Sequence, residues 1–334
     1  MKLFNLSLVT LVVVLIAASV LLYKGDLSTE YVDEKYSNAA SAFLTMKNGA
    51  KVHYRDQGVK ENPAIVLVHG SNASLHTWEP WVERLSPNYR IVSLDLPAHG
   101  LTGATPDHDY SSQAQINTVH AIVSHLGIDS FVLGGNSMGG GVTWRYTLQH
   151  RDNVRAMLLI NSSGLPQFRG ASTEEKASSQ GQAQTRKIET PLIFTLMSKP
   201  WFRYIARYID PYYLAVQGAK SSYNNSPVVT DALIDRYYEL SLRDGTREAI
   251  ISRFSGFVSR SQAPVDTTAL DLPTLIMWGE EDAVIPVSVA DQFANALENT
   301  TLVIYENVGH VPMEEIPARS AKDIISFLEG LNLQ

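Results

Sequence analysis

Ser137 stands between the apolar run 131–133 and the helix-like segment 142–150, in Val132-Leu133-Gly134-Gly135-Asn136-Ser137-Met138-Gly139-Gly140-Gly141. A chain that passes from strand to helix across one residue needs strained dihedrals at that residue. Side chains two positions to either side would collide with the strand and the helix, which accounts for Gly135-x-Ser137-x-Gly139. On its own the pattern is no more than a glycine-rich turn, since glycine and serine are common. Between a strand and a helix it becomes a turn that holds a serine hydroxyl at a strand's tip, ready to act as a nucleophile.

A serine hydroxyl attacks only when a base takes its proton, and the base needs a carboxylate to fix its tautomer and stabilise its cation. After Ser137 the chain has two histidines, His150 and His310. His150 falls about three and a half turns along the helix that begins at the serine, so it is carried away from the strand ends toward a surface or helix-end role. His310 lies in Val308-Gly309-His310-Val311-Pro312, just after the apolar run 301–305, on a loop able to reach a neighbouring strand's end. The acid is expected in the turn after the β-rich run 273–278. Asp282 is the candidate, with Glu280 and Glu281 as competitors.

The order serine, acid, histidine resembles that of the α/β-hydrolases, and two further segments carry the resemblance. Ile65-Val66-Leu67-Val68-His69-Gly70-Ser71 is similar to that family's third strand and His-Gly turn. Arg90-Ile91-Val92-Ser93-Leu94-Asp95-Leu96-Pro97-Ala98-His99-Gly100 is similar to its "DLPGHG" segment, with Ala98 in place of a glycine. The matches run from about Ala42 to Phe327. The resemblance implies an α/β fold with an eight-stranded, mostly parallel sheet flanked by helices and a helical cap inserted between strands 6 and 7. It implies Ser137, Asp282 and His310 as the catalytic set, and the backbone amides of Ser71 and Met138 as an oxyanion hole, where losing one donor typically costs roughly 3 kcal/mol. His69 then supports its loop, and Asp95 and His99 anchor turns. Trp278 is expected in the core; Trp78 and Trp81 suit either core or pocket wall.

The activity so implied is hydrolysis of carboxylic esters, with apolar acyl groups, through an acyl-enzyme. The whole resembles membrane-anchored monoacylglycerol lipases and bacterial carboxylesterases. The alternative comes from the serine turn, which is also similar to hydrolases that cleave carbon–carbon bonds in ring-fission products of aromatic catabolism. Those carry a glycine-richer loop than His69-Gly70-Ser71-Asn72-Ala73-Ser74. Dehalogenases and epoxide hydrolases of this fold place an aspartate where Ser137 stands.

With 334 residues, 45% hydrophobic and 18% charged, the chain has ample core for one large domain. The net charge of −7 has no basic cluster within it, so no nucleic-acid partner is expected. Cys is absent, which excludes disulfides, a thiol nucleophile and thiolate metal sites. No metal-ligand spacing occurs, and neither metal nor cofactor is expected. Residues 3–23 carry no charge, and about 21 helical residues span roughly 30 Å, a bilayer's hydrocarbon thickness. Residues 1–24 therefore read as a membrane anchor or a signal segment. An uncleaved anchor would leave the catalytic domain exported, periplasmic or extracytoplasmic; signal cleavage would leave it secreted.

Residues 25–41 are polar and read as a tether. Strand-like runs follow at 43–46, 52–56, 64–68, 90–94, 131–133, 156–161, 274–278 and 302–305, and 113–126 reads as a helix. Their apolar runs lack strict alternation, as strands covered on both faces do. The expected hydrolase core is 42–163 with 265–334, and the cap is 164–264. Within the cap, helices are expected at 191–199, 200–209, 211–217, 231–242 and 246–257, with aromatics dense enough to line an apolar substrate channel.

Overall fold

The computed structural model describes residues 22–168, 199–224, 226–257 and 263–331. Its strands are β1 Ser41–Thr45, β2 Lys51–Gln57, β3 Ala64–Val68, β4 Arg90–Leu94, β5 Phe131–Asn136, β6 Val154–Ile160, β7 Thr274–Gly279 and β8 Thr300–Tyr305. They form one eight-stranded sheet in the order β1-β2-β4-β3-β5-β6-β7-β8. β2 runs antiparallel to β1 and β4; every other pairing is parallel. β1 and β2 form an antiparallel hairpin at the sheet's edge.

The burial of the central strands explains their unbroken apolar runs. Along β3, Ala64, Val66 and Val68 enter one core layer while Ile65 and Leu67 enter the other. Side chains alternate sides with period 2, so a strand covered on both faces must be apolar at every position. Helices α1 Thr29–Tyr36, α2 Glu79–Leu85, α3 Ser112–His125 and α4 Met138–Gln149 precede the insertion. Then come α5 Pro200–Ala206, α6 Tyr212–Ser222, α7 Asp231–Ser241 and α8 Thr246–Phe257, and after it α9 Ser288–Ala296, α10 Pro312–Glu315 and α11 Pro317–Gly330. α3, α4 and α9 cover one face of the sheet, through Ile122, Trp144 and Phe293 among others. α2 and α11 cover the opposite face, through Leu85 and Ile324. Trp78, Trp81 and Trp278 are all fully buried in these layers, and Trp81 Nε1 donates to Ser320 Oγ at 2.8 Å.

Between β6 and β7 the described helices α5–α8 form the cap; the expected helix at 191–199 lies outside the described residues. The N-terminal reading needs correction. Among the described residues no helix is long and apolar enough to cross a membrane, so the anchored, exported location drawn from residues 1–24 does not hold. Residues 1–21 lie outside the described residues, while the end of the expected span is built into the cap. The Asp210 amide donates to Leu22 O at 2.8 Å, and the Lys24 amide to Tyr208 O at 2.9 Å.

The stretch expected as a tether contains α1, capped by Ser28 Oγ accepting from the Tyr31 amide. Val32 is fully buried against Leu101 and Leu240. The charges of this stretch have partners on the cap. Arg243 pairs with Asp33 at 2.7 Å, Lys35 with Glu239 at 2.6 Å, and Arg247 with Asp26. On the body side, Tyr36 O accepts from Arg55 Nη2 at 3.1 Å and His76 Nε2 at 2.8 Å.

Candidate active site

At the end of β5 the backbone turns through Ser137 with φ 54° and ψ −116°, and α4 begins at the next residue. The flanking glycines are forced by contact. A Cβ on Gly135 would sit 2.3 Å from the Gly139 backbone, and one on Gly139 would sit 2.0 Å from Val68 O. The turn is held by the Ser137 amide donating to Ile160 O at 3.0 Å and by Ser137 O accepting from the Ser163 amide at 2.9 Å.

The structure brings His310 and Asp282 together: Nδ1 of His310 and Oδ2 of Asp282 are 2.7 Å apart, both residues buried. The Asp282 carboxylate also accepts from the Val284 amide at 2.7 Å, the Ile285 amide at 2.9 Å and Asn161 Nδ2 at 2.7 Å. Glu280 and Glu281 are exposed. The histidine loop is fixed from three sides. The His310 amide donates to Ser222 O of α6 at 2.7 Å, His310 O accepts from Asn136 Nδ2 at 3.0 Å, and the Gly309 amide donates to Glu315 at 3.1 Å. Ser137 and His310 line one cavity, and no hydrogen bond joins them in this state.

Gly70, Ser71, Asn72 and Ala73 line the same cavity beside Ser137. His69 is spent on its own loop. Its Nδ1 donates to Gly70 O at 2.7 Å and its Nε2 accepts from the Leu96 amide at 3.0 Å, while burial lowers its pKa below the ordinary imidazole value. Asp95 accepts from the Leu75 and Leu101 amides at 2.7 and 2.9 Å, and His99 Nδ1 donates to Pro97 O at 2.8 Å. Ala98 has φ 69°, the left-handed conformation that makes glycine the easier residue there. His150 caps α4 and stacks on His120 at 4.3 Å, away from the cavity.

The cavity measures about 380 Å³. The cap supplies its walls, chiefly apolar: Ile209, Leu214, Ala215 and Gly218 from α6 and the segment before it, Ile250 and Ile251 from α8. Of the cap aromatics, Phe202, Tyr223 and Tyr237 line it, Trp201, Tyr204 and Tyr213 are exposed, and Phe194 lies outside the described residues. Sequence reasoning had passed over Asn161, Asn136 and Ser222, which orient His310 and Asp282. A polar residue at the end of an apolar strand, as in Ile160-Asn161, is the one signal they carried.

A parallel sheet that delivers a strained serine and a histidine–carboxylate pair to its strand ends, under an inserted cap, is the layout of a hydrolase. Residues 63–317 match the alpha/beta hydrolase fold family, and the chain belongs to it. It is 25% identical to the 2-hydroxy-6-oxo-6-(2'-aminophenyl)hexa-2,4-dienoic acid hydrolase of Metapseudomonas resinovorans, over 90% of this chain and 94% of that protein. It is 28% identical to monoacylglycerol lipase ABHD6 of Homo sapiens, over 81% of this chain and 76% of that protein. Its fold is shared with a thermophilic esterase from Thermogutta terrifontis, with a TM-score of 0.66 at 21% identity, over 88% of this chain and 99% of the esterase.

Proposed function

We propose that the protein hydrolyses carboxylic esters bearing apolar acyl groups, through an acyl-enzyme on Ser137. His310 takes the Ser137 proton as Oγ attacks the ester carbonyl, then gives it to the leaving alcohol. Asp282 orients His310 and stabilises the imidazolium. The amides of Ser71 and Met138 donate to the carbonyl oxygen as it becomes an oxyanion. Met138 opens α4, where an amide has no carbonyl within the helix to bond and the helix dipole favours negative charge. Water, activated by the same histidine, then releases the acid.

The observation that carries this reading is the shared cavity. It joins Ser137 and His310 to an apolar cap wall suited to an acyl chain. The carbon–carbon hydrolase among the relatives is named for a dienoic acid, an anion at neutral pH. Arg247 is the cation lining the cavity among the described residues, and it pairs with Asp26; Arg253 stands behind the wall, its guanidinium bonded to Ser71 and Asn72. An uncharged ester is therefore the better fit.

The test is a p-nitrophenyl ester series from acetate to palmitate, run on the protein and on Ser137→Ala. Turnover that disappears in Ser137→Ala, with folding retained, is expected. Turnover that survives the change overturns the mechanism. A folded protein inactive on every ester, yet active on a ring-fission dienoate, moves the reading to carbon–carbon cleavage.

A further inference from the structure

We propose that Arg253 is a positioning residue that locks the two halves of the oxyanion hole together from the cap. The inference rests on the ester-hydrolase reading above. Arg253 projects from α8 and is buried, standing behind the cavity wall rather than in it. Its Nη2 donates to Ser71 Oγ at 2.5 Å and to Asn72 Oδ1 at 3.4 Å, and its Nη1 lies 2.9 Å from Met138 Sδ. One guanidinium thus touches both residues whose amides form the hole, although one follows β3 and the other opens α4.

The turn needs such a hold. Asn72 has φ 58°, a left-handed backbone that a non-glycine residue keeps only when its surroundings impose it. The rigid, planar fork of arginine bridges two fixed partners in a way that a lysine ammonium on a flexible stem does not. The charge also lies one side chain behind the point where negative charge develops. Burial lowers the pKa of His69 and His99, with this cation the next cause at His99 and a small one at His69, so neither adds a competing charge beside it. Seating of α8 and assembly of the hole become one event, because the residue that completes the hole belongs to the cap.

The experiment compares the full chain with Arg253→Met and Arg253→Lys on a short p-nitrophenyl ester. It also measures inhibition by a trifluoromethyl ketone and by the matching methyl ketone. The trifluoromethyl ketone forms an Oγ–C bond with Ser137, passes the serine proton to His310 and turns its carbonyl oxygen into an oxyanion; the methyl ketone binds without that adduct. Expected is a fall in kcat of roughly 10- to 100-fold, less than loss of an oxyanion donor itself, with KM within about threefold. Affinity for the trifluoromethyl ketone falls by the same factor and that for the methyl ketone stays. Added guanidinium restores part of the rate to Arg253→Ala. If Arg253→Met melts, Arg253→Lys carries the comparison. Unchanged kcat in a folded variant, or equal loss for both ketones, overturns the role of Arg253 while wild-type turnover leaves the ester reading standing. A wild type without ester turnover overturns both.

Discussion

The acid beside His310 is held by a residue that belongs to neither the proposed catalytic set nor the cavity. Asn161 gives one amide hydrogen to Asp282 Oδ2, the oxygen that also faces His310 Nδ1. Asn161→Ala lets the carboxylate turn and leaves it short of a buried donor. We expect kcat to fall about 10-fold with KM nearly unchanged, and stability to drop by about 1–3 kcal/mol. Steady-state kinetics with a melting curve checks both, and an unchanged kcat would show that the two backbone amides suffice to aim Asp282. The contrast between Asn161 and Ser137 shows what single residues reveal. Ser137 was legible because its strain forces glycines at fixed offsets, which sequence displays. Asn161 was not, because its partner lies 121 residues away and nothing local records the pairing. Asp282 was the sequence candidate over Glu280 and Glu281, and burial separates the three, Asp282 alone being buried. Arg253, far from the serine in sequence, carried no local sign at all.

At the scale of elements, the central strands were read within a few residues because every position is apolar. β5 ran three residues past its expected end, through Gly134, Gly135 and Asn136, residues of low strand propensity that pairing to β6 overrides. α1 was missed for the opposite reason. Its sequence is short and polar, and its stability comes from ion pairs and a buried Val32 that only the cap and body supply. α6 offers a sharp test of the acyl cavity. Gly218 lines the cavity, and a Cβ there would meet nothing within 4 Å. Gly218→Leu should fill that space. Its better helix propensity should raise stability by roughly 0.5–1 kcal/mol. The expected outcome is a shift of the p-nitrophenyl ester optimum toward shorter acyl chains, with kcat/KM for the longest falling about 10-fold or more, roughly 1.4 kcal/mol. A more stable protein with an unchanged chain-length profile would remove the acyl chain from that part of the cavity.

For the whole molecule, the fold class was legible from five ordered segments, whereas the way the N-terminal stretch closes over the cap was not. The buried histidines set a pH dependence for the whole fold. Burial lowers the pKa of His69, His76 and His99, that of His76 to about 4, from an ordinary value of 6.5. Below pH 6.5 the unfolded chain binds protons that the folded protein refuses, so stability is intact above that value and is lost as pH falls toward 4. Each such imidazole contributes at most about 1.4 kcal/mol per pH unit. At the alkaline end burial raises Tyr146 to about 12 and Tyr237 further, so the unfolded chain ionises first and stability declines above pH 10. Melting curves from pH 4 to 11 should show a plateau between these limits; a midpoint unchanged from pH 7 to 5 would rule the histidine contribution out. The clasp made by residues 26–36 has one more consequence, in time rather than space. Lys35 meets Glu239 across 204 positions and Asp26 meets Arg247 across 221. During synthesis Asp26 and Lys35 wait for partners until the cap has left the ribosome, so a stretch made well before the cap is fastened only after it.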